Sequence, residues 1–132
     1  MMSTVNRPRS IVKKTNMAFK FEELRVWQKS VELTSIVNNV ADEFPKKELY
    51  NLSSQIRRAA DSVSLNIAEG STGQTNPEFK RFLGLALRSG IEVIGCIHLA
   101  KERKIISDNN FKTIYTEYEQ LIKSIQALRK SI

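Results

Sequence analysis

This 132-residue sequence predicts an all-α fold, an antiparallel up-down four-helix bundle, on three observations. Apolar residues recur at alternating steps of three and four in four separate stretches. Nothing in residues 21–132 alternates with the period of two that a half-buried strand needs, and the joins are short enough for antiparallel neighbours. A chain of this length has room for one domain, able to bury a core without disulfides or a structural metal.

In the first stretch Val26, Leu33, Val37, Val40 and Phe44 share a face, with Ser30 filling the first gap, so a helix is expected over about residues 22–43. Glu22 and Glu23 place negative charge in its first turn, where the helix dipole favours it. Phe44-Pro45 ends it, because the residue before proline avoids helical geometry. The second helix is expected from near Glu48, carries Leu49, Leu52, Ile56, Ala59 and Val63, and runs out at Gly70 before a polar loop. The third opens on Thr75-Asn76-Pro77-Glu78, a capping box in which Thr75 accepts from the Glu78 amide while Glu78 reaches back. Its core stripe is Phe79, Leu83, Ala86, Gly90, Val93, Ile97 and Ala100. The fourth is entered through Ile106, which can staple onto Phe111, and the cap Ser107; its stripe is Phe111, Ile114, Tyr118, Leu121, Ile125, Leu128 and Ile132.

The net charge of +7 and the pI near 9.7 suggest a nucleic-acid partner until the charge is divided along the chain. Residues 1–20 hold Arg7, Arg9, Lys13, Lys14 and Lys20 with no acid and carry +5; residues 21–132 carry only +2. The division expected is a basic, disordered tail over residues 1–18 and a bundle domain over 19–132. Three readings of the tail stand side by side: a solvated arm attracted to phosphates, a start-site artefact ahead of Met17, and a basic, acid-free presequence. Cys96 is the single cysteine and cannot form an internal bridge, which fits a reducing, cytoplasmic setting. No uninterrupted apolar run approaches the roughly 20 residues of a membrane span, and no secretion signal is visible, so a membrane partner is not expected.

The third helix is apolar on more than the one side a bundle requires. Beside its core stripe it carries Leu87, Ile91 and Ile94, ending at His98, and a further stripe including Phe82, Leu85, Cys96 and Leu99. Self-association supplies the missing cover, with Leu87, Ile91, Ile94 and Phe82 as the expected oligomer interface; the plainer alternative is a small bundle that exposes some leucine. Gly84, Gly90 and Gly95 each cost about 1 kcal/mol against alanine inside a helix, which suggests close backbone approach there.

The inventory for catalysis is thin, and no catalytic residue, metal site, cofactor or small-molecule substrate is expected. His98 is the lone histidine and reads as a packed or half-exposed imidazole, Cys96 as a small core residue. No Glu-x-x-His pair of the di-iron bundles is present, and Gly70 and Gly73 are not followed by the Lys-Ser/Thr of a phosphate loop. Gln55, Ser62, Asn66 and Glu69 share one face of the second helix, and Ser89 and Glu92 sit at similar spacing on the third. This polar seam reads first as a hydrogen-bonded network fixing register or subunit contacts, and second as a ligand pocket. The basic residues Arg57, Arg58, Lys80, Arg81, Arg88, Arg25 and Lys29 form the candidate nucleic-acid surface, with Lys123, Arg129 and Lys130 adding charge on the fourth helix. Taken singly they are a solvated face; repeated around a symmetric ring they make a strong field. No aromatic residues interleave them, so base stacking is not expected to add specificity.

Several runs resemble one family: Phe21-Glu22-Glu23-Leu24-Arg25-Val26-Trp27-Gln28-Lys29, Phe44-Pro45 with Glu48, and Gln55-Ile56-Arg57-Arg58-Ala59 with Ser62. Asn66-Ile67-Ala68-Glu69-Gly70, Glu78-Phe79 with Arg81-Phe82-Leu83, and Ser89 with Glu92 continue the pattern. Their order and spacing over about residues 19–131 are similar to the four-helix-bundle proteins encoded in intervening sequences of bacterial 23S rRNA genes, also called the S23 ribosomal protein family. The resemblance implies a left-handed bundle, a ring-like homopentamer and no known enzymatic activity. A relative is the accessory protein of diversity-generating retroelements, which implies nucleic acid and a reverse transcriptase as partners. The chain departs from the pattern in its leader before Met17 and at Val93–Cys96. The function expected is therefore a non-enzymatic, oligomeric RNA- or DNA-binding accessory protein; the alternative is a protein interaction scaffold that binds no nucleic acid.

Overall fold

The computed structural model describes residues 18–72 and 75–132. The readings of the basic tail before Ala18 and of Gly73 lie outside the described residues. Four long helices run α1 (Arg25–Asp42), α2 (Leu52–Gly70), α3 (Asn76–Glu102) and α4 (Asp108–Ser131), with 3-10 turns at Lys20–Glu23 and Lys46–Glu48 and no strand among the described residues. Each helix packs on its neighbours in sequence, and α4 returns to pack on α1, so the four close around one core.

The heptad-like stripes are what the core is made of. Leu33, Val37, Ile56, Val63, Ile67, Leu83, Val93, Ile97, Ile114, Tyr118 and Ile125 are all but sealed from solvent. Burial of side chains of this size contributes about 1.5–3 kcal/mol each, which makes this interior the main source of stability. Cys96 joins the core, its thiol pushed up to about 11 by burial first and the Glu92 carboxylate second. By length and composition α3 would also pass for a bilayer span. Here its core stripe packs on α2 and α4, while Ile91 and Leu99 stay exposed.

The ends of the helices differ from expectation in instructive ways. Glu22 and Glu23 belong to the separate 3-10 turn, and the Glu22 carboxylate accepts from the Phe19 amide at 2.9 Å instead of serving α1. Glu48 likewise precedes α2; its buried carboxylate accepts from the Leu52 amide at 3.4 Å, Asn51 Nδ2 at 3.2 Å and Arg103 Nη1 at 2.9 Å. This charge-assisted pair, buried on the Glu48 side and open to solvent on the Arg103 side, ties the start of α2 to the end of α3. Thr75 Oγ1 does accept from the Glu78 amide, at 3.2 Å, but Glu78 turns to Arg81 at 2.8 Å and leaves the box half-made. Ser107 caps α4 by accepting from the Asn110 amide.

Between α3 and α4 the chain reverses through Lys104, whose φ of 60° is the left-handed conformation usually given to glycine. The Ile105 amide reaches Ala100 O and the Lys104 amide reaches Lys101 O, both at 3.0 Å, which completes a Schellman cap.

Gly70 closes α2 for a steric reason. An added Cβ would lie 2.6 Å from Phe82 Cβ and 3.0 Å from the Phe79 ring, so α3 can cross here only over a residue without a side chain. Of the helix-three glycines, Gly90 sits against Ile122 and Gly84 under the Arg129 guanidinium, whereas around Gly95 there is open space.

Candidate nucleic-acid interface

The seven cations chosen from the sequence do not form one surface. Arg57 donates from Nε to Asn38 Oδ1 at 3.1 Å and pairs with Asp42, which fastens α2 to the end of α1. Lys29 pairs with Glu117 at 3.1 Å, linking α1 to α4, and Arg25 lies beside it near Gln120 and Ser124. Arg81 is held by Glu78 at 2.8 Å and lies over the Phe82 ring, 4.6 Å from its centroid. Arg58 and Arg88 stand exposed on the outer surfaces of α2 and α3. Much of the positive charge read as a binding face is therefore neutralised locally, work that a linear reading cannot separate from ligand binding.

Positive charge does gather between α3 and α4. A cleft of about 800 Å³ is lined by Lys80, Leu87, Lys123, Gln126, Ala127, Arg129 and Lys130, with no carboxylate among them. Arg129 donates from Nε to Lys80 O at 2.9 Å and lies across Gly84, so its guanidinium is fixed on the wall of the cleft. Lys123 Nζ stands 4.0 Å from the well-exposed Glu119 carboxylate, a separation at which an ion pair contributes little. Of the seven cations chosen from the sequence only Lys80 lines this cleft, joined there by Leu87 of the expected oligomer interface. Lys123, Arg129 and Lys130 were noted as charge on the fourth helix, and spacing along α4 gave no sign that they would meet Lys80 across the groove.

The expected oligomer interface is partly used within the chain. Leu87 and Ile94 pack against the core, and Phe82 lies over Gly70, which leaves Ile91 as the exposed member at 60%. Leu65 on α2 and Leu99 on α3 are also exposed, at 63% and 46%. The three-sided apolarity of α3 is accordingly met in large part by α2 and α4, and a smaller apolar surface is left over.

The polar seam runs along the outer junction of α2 and α3. Ser89 Oγ donates to Ser62 Oγ at 2.8 Å, Asn66 Nδ2 reaches Ser62 O at 2.9 Å and Oγ at 3.0 Å, and Gln55 Nε2 meets Glu92 Oε2 at 3.4 Å. Glu69 is exposed at the end of the row. Ser62, Asn66 and Ser89, and Gln55 with Glu92, thus hydrogen-bond among themselves along the junction. A second hydroxyl pair, Ser30 with Ser64 at 2.9 Å, is buried between α1 and α2, where the sequence reading had only a gap-filling serine.

One cluster was missed. His98, Phe111 and Tyr115 converge where α3 gives way to α4, with centroids 5.2 Å apart for His98 and Phe111 and 5.9 Å for Phe111 and Tyr115. Lys101 Nζ stands 4.6 Å from the Phe111 centroid. Phe111 and Tyr115 are four apart on α4, a spacing that does bring rings together, but only the helix pairing adds His98 and Lys101. Among the described residues no His, Cys, Asp and Glu group is arranged to hold a metal ion.

Comparison with known proteins places this geometry. A family model described as 23S rRNA-intervening sequence protein matches residues 22–127. A solved structure of a protein with unknown function, from the S23 ribosomal protein family of Bacteroides thetaiotaomicron VPI-5482, superposes with a TM-score of 0.74. The two are 23% identical over 80% of this chain and 98% of that one, so the likeness speaks for the fold alone. No curated protein matches the sequence.

Proposed function

The chain belongs to the family of 23S rRNA-intervening sequence proteins, and on that footing we propose that it is a non-enzymatic, oligomeric accessory protein that binds nucleic acid. The observation that carries the reading is the acid-free cleft of Lys80, Lys123, Arg129 and Lys130. Cations held around a shaped recess attract phosphate oxygens, and each neutralised phosphate releases counterions. The cleft is lined by residues of α3 and α4 alone. In a ring-like homo-oligomer, a pentamer by family resemblance, the cleft repeats with the symmetry and its field adds up. The basic residues ahead of the bundle reinforce the attraction, and a reverse transcriptase or an rRNA-associated element is the kind of setting the resemblance suggests.

Titration of a labelled RNA into the full chain at low and near-physiological salt tests this, with mass followed in parallel by light scattering. Binding that falls steeply with salt, and that Lys123→Glu with Lys130→Glu weakens more than Arg57→Glu with Arg58→Glu, is the expected result. Salt-insensitive or absent binding overturns it. A second reading, a protein scaffold without nucleic acid, is favoured by the exposed Leu65, Ile91 and Leu99. It takes over if Ile91→Asp abolishes an assembly that shows no affinity for RNA.

A further inference from the structure

The cleft and the aromatic cluster lie on one surface. His98 follows Leu87 by eleven residues on α3, and Tyr115 precedes Gln126 by eleven on α4, with Lys112 and Lys123 related in the same way. Eleven residues is close to three full turns, so each pair shares a helix face, displaced along the axis by roughly 17 Å. One end of this face is thus a basic recess, and the other presents His98, Tyr115 and the partly buried Phe111 beside Lys101. Ile94, packed on the core, lies between Leu87 of the cleft and His98 along α3.

The two ends differ in what they recognise. Phosphate recognition needs cations alone and is met by the cleft. An exposed ring with a cation nearby offers a flat apolar surface that a duplex cannot use, because its bases already stack on one another. The Phe111 and Tyr115 rings lie within 29° of parallel, and Lys101 takes up space over Phe111. Tyr115 is 39% exposed, the ring left for an incoming base.

We propose that the α3/α4 face binds single-stranded nucleic acid, with backbone phosphates in the Lys80, Lys123, Arg129 and Lys130 cleft and an unpaired base stacked on Tyr115. The proposal rests on the nucleic-acid reading above and narrows it to single strands. It assigns Tyr115 a role that charge along the sequence does not suggest. It also requires the cleft and the Tyr115 ring to remain open in the assembled protein.

The test compares fluorescently labelled, unstructured single strands, duplexes of the same length and a sugar–phosphate strand lacking bases, all with the full chain at one low salt concentration. The single strand should bind most tightly. Tyr115→Ala should weaken that binding by roughly ten-fold and leave the baseless strand unaffected, while Tyr115→Phe, which keeps the ring face, should bind as the parent does. Far-UV circular dichroism of the variants checks that the fold persists. Lys123→Glu with Lys130→Glu should weaken all three ligands. Equal binding of duplex and single strand, or an unchanged affinity in Tyr115→Ala while the lysine variant loses binding, overturns the stacking proposal and leaves the nucleic-acid reading standing. No binding of any strand by the parent protein removes both.

Discussion

Replacing Gly70 by alanine isolates a single steric contact at the α2–α3 junction. The backbone of Gly70 is not left-handed, so alanine carries no conformational penalty and by helix propensity alone would stabilise by about 1 kcal/mol. Against that gain, the new methyl would lie 2.6 Å from Phe82 Cβ and 3.0 Å from Phe79 Cδ1. The first of these atoms is next to the backbone and cannot swing aside; relief requires α3 to shift against α2. Overpacking of this kind costs about 1–3 kcal/mol, and a contact this short belongs at the upper end. The net expectation is a loss of about 2 kcal/mol, or a fall in Tm of roughly 8 °C for a domain of this size. Gly95→Ala is the internal control: it has the same propensity gain and nothing within 4 Å, so it should stabilise by about 1 kcal/mol. Urea denaturation followed by circular dichroism measures both. A neutral or stabilised Gly70→Ala refutes the steric argument. A destabilised Gly95→Ala, with a drop in assembled mass by light scattering, would instead place a neighbouring copy against that bare stretch of α3.

Three further outcomes follow from single features of the fold. Lys104→Gly should raise stability by about 1 kcal/mol, because it removes a side chain from left-handed backbone; a loss in the same denaturation assay would mean the lysine side chain makes a contact worth more than the strain. Tyr118→Phe should stabilise by about 1 kcal/mol, since the buried hydroxyl has no hydrogen-bond partner among the described residues, and a clear loss would reveal a bound water serving it. Stability should fall as pH rises from 9 to 11: the unfolded Cys96 thiol ionises in that range while the folded one holds its proton, so the unfolded state binds fewer protons and gains on the native one. Burial, and then the Asp61 charge, raises the Tyr118 phenol in the same sense and adds to the fall above pH 10. Cys96→Ala should flatten the lower part of that pH profile, and thiol reagents at neutral pH should label Cys96 only as the protein unfolds.

What the sequence determined by itself is the set of residues that must turn inward. The three-four spacing of Ile56, Val63 and Ile67, or of Ile114, Tyr118, Leu121 and Ile125, is a property of helix geometry and needs no partner to be read. The same holds for the caps Thr75 and Ser107, whose hydroxyls serve amides three residues on. The order and spacing of short runs also carried the family, which the match over residues 22–127 shows. Tertiary structure decided everything that depends on which faces meet. Lys80 and Arg129 are 49 apart in sequence and joined by one hydrogen bond; Glu48 and Arg103 are 55 apart and share a partly buried ion pair. Arg57 and Lys29 carry the same charge as Lys130, and only the proximity of Asp42 and Glu117 neutralises them. Lys104 adopts a glycine's conformation with no glycine or asparagine to announce it, because the packing of α3 on α4 and the amides of the Schellman cap together hold it there. Local periodicity fixes where a side chain points relative to its own helix; what it meets there is set by the other three helices, through contacts that spacing along one chain does not encode.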